Sequence, residues 1–147
     1  MQIQIDFFGG NPPGEATRYI VSKYTGKLVE QILKDLEEFS LKTHLKEKCL
    51  NQLYNLIVCV EAQIKPYTER ILKQIIYKYI LDEEPAIAHR SLKICELLGL
   101  YVQTDFILPV IVGHLTDTES KNVPRFVSSC LTALSAVITY SAVRFAD

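Results

Sequence analysis

The stretch DEEPAIAHRSLKICELLG, residues 82–99, gathers three acids, a proline, a histidine and a cysteine within eighteen positions. It reads either as part of an active or metal site or as one helix of a repeat, and spacing separates the two. His89 and Cys95 are six residues apart, which on a helix leaves them roughly 120° from a common face. They cannot easily share a metal or a proton. Asp82, Glu83 and Glu84 lack the alternating oxygen ligands and glycine bend of a calcium loop, and Pro85 ends the run. Negative charge just before a helix, with proline in its first turn, is instead the expected chemistry of a helix start.

The same stretch opens a stripe of apolar and small residues: Ile87, Ser91, Ile94, Cys95, Leu98, Tyr101 and Val102. Adding 36 gives Val123, Val127, Cys130, Leu131, Leu134, Val137 and Ile138. Subtracting 42 gives Leu45, Cys49, Gln52, Leu53, Leu56, Cys59 and Val60, where only Gln52 departs. A shorter stripe at steps 0, 1, 4, 5 and 8 links Leu28, Val29, Ile32, Leu33 and Leu36. It recurs at Ile71, Leu72, Ile75, Ile76 and Tyr79, and at Ile107, Leu108, Ile111, Val112 and Leu115. Each short stripe begins 17, 16 and 16 residues before a long one. A helix-turn-helix unit therefore recurs every 36 to 43 residues, the signature of an α-solenoid.

The sequence thus predicts an all-α fold, an α-solenoid of three antiparallel helix pairs in one domain of 147 residues. MQIQIDFF alternates as a short strand would and GGNPPG stops it, so residues 1–14 form a short extended N-terminal arm. Residues 15–62 make the first unit with a leading, incomplete helix around Glu15 to Tyr24, residues 66–102 the second and residues 105–144 the third. EAQIKPYT at 61–68 is expected to be a longer connection, with Pro66 separating two units. Asn122, and Thr104 or Asp105, are the candidate caps of the third pair. The last helix is apolar or small almost all the way round, so it calls for a further repeat, a partner or a second copy, and self-association through it is an expectation.

Sixteen basic against seventeen acidic residues leave a net charge of -1, with no basic footprint for nucleic acid or anionic lipid. Phe126 to Val143 carries no charge, yet six serines and threonines run through it, so no membrane span is expected. Cys49, Cys59, Cys95 and Cys130 form no CxxC pair and are expected to be reduced and buried in a cytoplasmic protein. His44 and His114 have no ligand spacing, and no phosphate-cradling glycine motif occurs. No catalytic residue, metal or cofactor is expected.

The repeat resembles a HEAT repeat. Ile87 with Ser91, and Val123 with Val127, occupy the places of its aliphatic and small residues, although Ala88 and Pro124 stand where an arginine is usual. A closer resemblance covers residues 45 to about 115: the run VEAQIKPYTERILKQIIYKYILDEEPAIAHRSLKICELLGLYVQTDFILPVIVGHL, residues 60–115, is similar to the C-terminal HEAT region of the dynein axonemal assembly factor 5 family. Glu61, Asp82, Glu83, Glu84, Glu96, Leu97, Gly99 and Val102 carry the likeness, and the first and last 25 residues carry none. That resemblance implies a cytoplasmic, non-catalytic scaffold in preassembly of axonemal dynein arms, with dynein chains and chaperones as partners. The repeat alone would equally serve an adaptor in transport, trafficking or phosphatase regulation.

The outward positions of the long helices are the candidate protein-binding surface. They are Glu47, Lys48, Asn51 and Tyr54; His89, Arg90, Lys93 and Glu96; and Arg125, Phe126, Ser129 and Thr132. In a stacked solenoid these form adjacent rows on one wall.

Overall fold

The computed structural model describes residues 14–38, 42–117 and 123–146, with side chains described as far as Ser141. The rest of the expected N-terminal arm and the Asn122 cap lie outside these residues. Helices α1 (Glu15–Lys23), α2 (Thr25–Glu38) and α3 (Thr43–Val60) are followed by a composite helix α4 (residues 61–79). Then come α5 (Pro85–Tyr101), α6 (Thr104–Thr116) and α7 (Pro124–Ala146), and no strand occurs among the described residues. The long helices α3, α5 and α7 pack side by side in that order. Helices α2, α4 and α6 form a second layer, each against its long partner, and α1 lies on α3 and α2. One apolar core runs between the layers from Val21 to Val137, so each pair is stabilised by its neighbours as in a solenoid.

Residues 61–68 are not the irregular connection their composition suggests. Glu61–Tyr67 is a 3-10 helix containing Pro66, and Thr68–Ile71 continues it as an α-turn. Fully buried Ile64 and Thr68 anchor this segment to the core. The turn that starts it falls on Glu61, whose φ of 52° lies in the left-handed region that favours glycine. Arg18 of α1 holds that turn: its Nη1 is 2.8 Å from Glu61 Oε1 and donates to Cys59 O at 3.3 Å.

Leu72–Ile76 then forms a π-turn before Tyr77–Tyr79 resumes the α-helix. In an unbroken helix Tyr77 would sit about 240° round from Ile71, since each residue adds about 100°. The wider turn takes up one extra residue and brings Tyr77, Tyr79 and Ile80 back into the buried stripe of Ile71, Leu72, Ile75 and Ile76.

The start of α5 follows its sequence signals. Glu84 is the N-cap and Pro85 the first helical residue, while Asp82 Oδ1 accepts the Glu84 N–H at 2.9 Å. Asp82 Oδ2 also lies 3.3 Å from Lys46 Nζ of α3, whose ammonium stands 5.1 Å over the Tyr79 ring. The acidic turn thereby ties the first pair to the second. At α6 the cap position is held by Gln103 with no side-chain bond. Thr104 is already helical and Asp105 lies in the first turn, where its charge still suits the helix N-terminus.

The α5–α7 contact is unusually close because small residues face one another at steps of four. Cys95 and Gly99 oppose Ala133, Val137 and Ser141. Cys95 Sγ donates to Ala133 O at 3.2 Å and Ser141 Oγ donates to Gly99 O at 3.1 Å. A Cβ on Gly99 would fall 2.6 Å from Val137 O. The stripes do not stay buried to the end, however. Val112, Val123, Leu131 and Ile138 are about half exposed, whereas Ile87, Cys95 and Val102 at the matching positions of α5 are buried. Helix α7 covers those positions on α5, and no described helix does so for α7.

Candidate functional site

On α3, His44, Glu47, Lys48, Asn51, Tyr54 and Asn55 recur at helical spacing, which puts them on one face. They line a groove of about 400 Å³ that Arg90 of α5 completes. The Arg90 guanidinium lies 4.9 Å above the Tyr54 ring, bridging the two long helices. Among the described residues neither Lys48 nor Arg90 has a carboxylate partner. Asn51 Oδ1 is buried in the groove wall without a hydrogen-bond partner. The groove therefore offers two cations and a stacked aromatic against the single carboxylate of Glu47.

A second groove, of about 490 Å³, lies between α5 and α7 and is lined by Leu92, Glu96, Leu131, Thr132, Ser135 and Tyr140, among others. Its hydroxyls are less available than the sequence suggests. Thr132 Oγ1 donates to Ser128 O and Thr139 Oγ1 to Ser135 O, each at 2.9 Å. Glu96 is held 3.3 Å from Lys93 Nζ, one turn earlier on the same helix.

The structure thus gathers Glu47, Lys48, Tyr54 and Arg90 into the first groove and places Glu96, paired with Lys93, at the second. His89 is exposed and lines neither groove. Arg125 and Phe126 lie in the first turn of α7, beside the end of α4. Arg125 Nη2 donates to Leu81 O at 3.0 Å, and Phe126 packs edge-on against Tyr77 at 5.2 Å. Ser129 is buried, with its Oγ unpartnered. Sequence reasoning left out His44 and Asn55, although their spacing of eleven residues, about three helical turns, puts them on the Lys48 face.

A polar cluster also joins α4 to α6. Tyr77 OH is 2.8 Å from His114 Nδ1, with the rings edge-on at 5.3 Å. Burial, followed by the nearby Cys130 and Cys95 thiols, pushes Tyr77 well above the usual phenol range. The phenol accordingly stays protonated, and the direction of its bond with His114 Nδ1 follows the imidazole tautomer. His114 Nε2 lies 3.6 Å from Glu69 Oε1, beyond hydrogen-bonding range. Burial raises the Cys95 thiol to about 12 and the Cys130 thiol to about 11, so neither is a ready nucleophile. Among the described residues no three His, Cys, Asp or Glu side chains gather as a metal site, and no helix is long and apolar enough to cross a membrane.

A protein-family model described as dynein axonemal assembly factor 5, HEAT-repeat domain, matches residues 9–144. The chain belongs to this family. The dynein axonemal assembly factor 5 likeness read from residues 45 to about 115 is therefore right in kind and too short in extent, since the match takes in most of both ends. Dynein axonemal assembly factor 5 of Xenopus laevis is 25% identical over 127 residues, covering 86% of this chain. The chain spans 15% of that relative's length. No solved structure matches. Family membership accounts for the repeat architecture, and the grooves on the long-helix wall are features of this chain's own side chains.

Proposed function

We propose that the chain is a non-catalytic, protein-binding scaffold in the cytoplasmic preassembly of axonemal dynein arms, and that the α3–α5 groove holds its partner. The observation that carries this reading is the groove itself. Lys48 and Arg90 lack carboxylate partners there and Asn51 Oδ1 is buried without a donor, in a member of a dynein assembly factor family. An extended acidic segment of a dynein chain would suit this surface, its carboxylates meeting the two cations. Chaperones acting on the same dynein chain are the accompanying partners.

Arg90 is the residue to test, together with Lys48 and not Lys93, because Lys93 is already neutralised by Glu96. The doubly reversed variant Lys48→Glu, Arg90→Glu is immobilised beside the unaltered chain, and dynein heavy chain is quantified from extract of cells building motile cilia. Capture should fall at least tenfold. Loss of the Arg90–Tyr54 contact itself costs only about 0.5–1 kcal/mol, so the melting temperature should move by no more than a few degrees. Undiminished capture of heavy chain would rule the groove out.

A further inference from the structure

Of the chain's three histidines, His44 and His89 are exposed, whereas the side chain of His114 is only 12% exposed. It stands on α6 of the third helix pair, against α4 of the second. Both ring nitrogens meet groups on α4: Nδ1 lies 2.8 Å from Tyr77 OH, and Nε2 lies 3.6 Å from Glu69 Oε1. Nε2 is buried and has no hydrogen-bond partner. The shape of α4 is what brings its two groups to one ring. Glu69 and Tyr77 are eight residues apart, which on a regular α-helix leaves them about 80° apart around the axis. The π-turn at Leu72–Ile76 lies between them and takes up one extra residue, closing that angle to about 20°.

A neutral imidazole cannot serve both neighbours. With its proton on Nε2, a buried N–H has no acceptor in range; with its proton on Nδ1, the Nε2 lone pair faces a carboxylate. Either way a buried group is left unmet, at a cost in stability. The imidazolium donates from both nitrogens, so it alone matches a phenol oxygen on one side and a carboxylate on the other. Tyr77 can accept from Nδ1 because its own proton has a second partner in the Cys130 sulfur. The last turn of α6, where His114 sits, also favours a cation, while burial opposes one. The other titratable groups around the cluster are the Cys130 thiol of α7 and the Cys95 thiol of α5, both uncharged near neutral pH, and Asp117 at the C-cap of α6. Arg125 of α7 is turned to Leu81 O.

From this geometry we propose that His114 is a proton-operated tie between the second and third helix pairs. On taking up a proton from solvent, the ring donates from Nδ1 to Tyr77 OH and from Nε2 to Glu69. The Glu69 side chain, 66% exposed, closes the remaining gap by a change of rotamer. Loss of the proton breaks the Nε2 bond and leaves the joint held by Tyr77 and ring packing. A bond made only by the protonated ring of the folded chain contributes stability that is present at low pH and lost as pH rises through the imidazole range. The joint therefore tightens on acidification. It uses none of the residues of the α3–α5 groove, so it stands independently of partner binding there.

Glu69→Gln tests this, because it removes the charge at an exposed position and keeps the size. Unfolding equilibrium constants are measured by urea denaturation at about pH 5.5 and about pH 8, either side of an ordinary imidazole's value of about 6.5. At the lower pH the variant's constant should exceed that of the unaltered chain by about two- to fivefold, the range of a partly exposed ion pair. At the higher pH the two should coincide, and in a His114→Gln background the substitution should have the same effect at both. Ring-nitrogen chemical shifts of His114 in the unaltered chain should show two protonated nitrogens at the lower pH and one at the higher. That reading needs no substitution, so it decides the matter even where His114→Gln fails to fold. A ring carrying a single proton at about pH 5.5, or a Glu69→Gln effect equal at the two pH values, would overturn the proposal.

Discussion

Replacing Gly99 with alanine should destabilise the fold, although the same change in the middle of a helix ordinarily stabilises it. The added Cβ would lie 2.6 Å from Val137 O and 2.9 Å from Val137 Cα, against a comfortable separation of about 3.5–4.0 Å. Both atoms are backbone, so α5 and α7 must move apart. The Ser141 bond to Gly99 O and the Cys95 bond to Ala133 O lie across the same contact and would stretch with it. Overpacking costs about 1–3 kcal/mol and a weakened hydrogen bond about 1 kcal/mol, against a helix-propensity gain of about 1 kcal/mol. The net is a loss of about 1–3 kcal/mol, which lowers the melting temperature by roughly 2–4 °C per kcal/mol in a chain of this size. Gly113 in α6 is the matched control, because nothing lies within 4 Å of a Cβ placed there. Gly113→Ala should therefore stabilise by up to about 1 kcal/mol. Urea denaturation followed by circular dichroism reads both. Two substitutions shifting the midpoint in the same direction would refute the close-approach reasoning.

Three further outcomes are expected. Ser91→Ala removes a buried hydroxyl without a partner and should leave stability unchanged or raise it by about 1 kcal/mol; a clear loss by calorimetry would mean that the hydroxyl is bonded. Asp82→Ala strands the half-buried Lys46 ammonium and the Glu84 N–H, and should cost about 1–3 kcal/mol by urea denaturation. A loss under about 0.5 kcal/mol, the range of an ordinary surface change, would show that the turn does not tie the first two pairs. The Cys95 and Cys130 thiols are raised from 9.0 to about 12 and about 11. Raised groups contribute stability that is present below the unfolded value and lost as pH climbs towards the folded one. Melting temperature should thus be insensitive to these groups below about pH 8 and fall above about pH 9, each thiol adding a slope of about 1.4 kcal/mol per pH unit. Cys95→Ala with Cys130→Ala should flatten that fall, and an unchanged slope would contradict it.

Much of the architecture could be read from apolar spacing alone, because helix faces in a stacked array repeat their burial as well as their sequence. The long stripe located the core of α3 and α5, and the DEEP turn located the start of α5. The departures have local causes. Glu61 turns the chain with a positive φ that nothing in its side chain announces, and it is held there by Arg18 from 43 positions away. The π-turn at Leu72–Ile76 serves to seat Tyr77, and such register shifts are invisible to a fixed helical period. Val123, Leu131 and Ile138 fit the stripe yet are exposed, since periodicity marks a face without saying whether anything covers it. The candidate site was legible in the same uneven way. The outward positions on α3 converge on one groove with Arg90 alone of the four on α5, while Arg125 and Phe126 occupy the first turn of α7 and are drawn to Leu81 and Tyr77. Equal spacing along three helices gives a continuous row only where the helices start level.

Amide hydrogen exchange of the chain alone and mixed with dynein heavy chain tests the central claim most directly. Engagement of the groove predicts slowed exchange along residues 44–55 of α3 and around Arg90 of α5, with α1 and the outer face of α7 unchanged. Binding that leaves residues 44–55 and the Arg90 turn exchanging at their free rates would contradict the account.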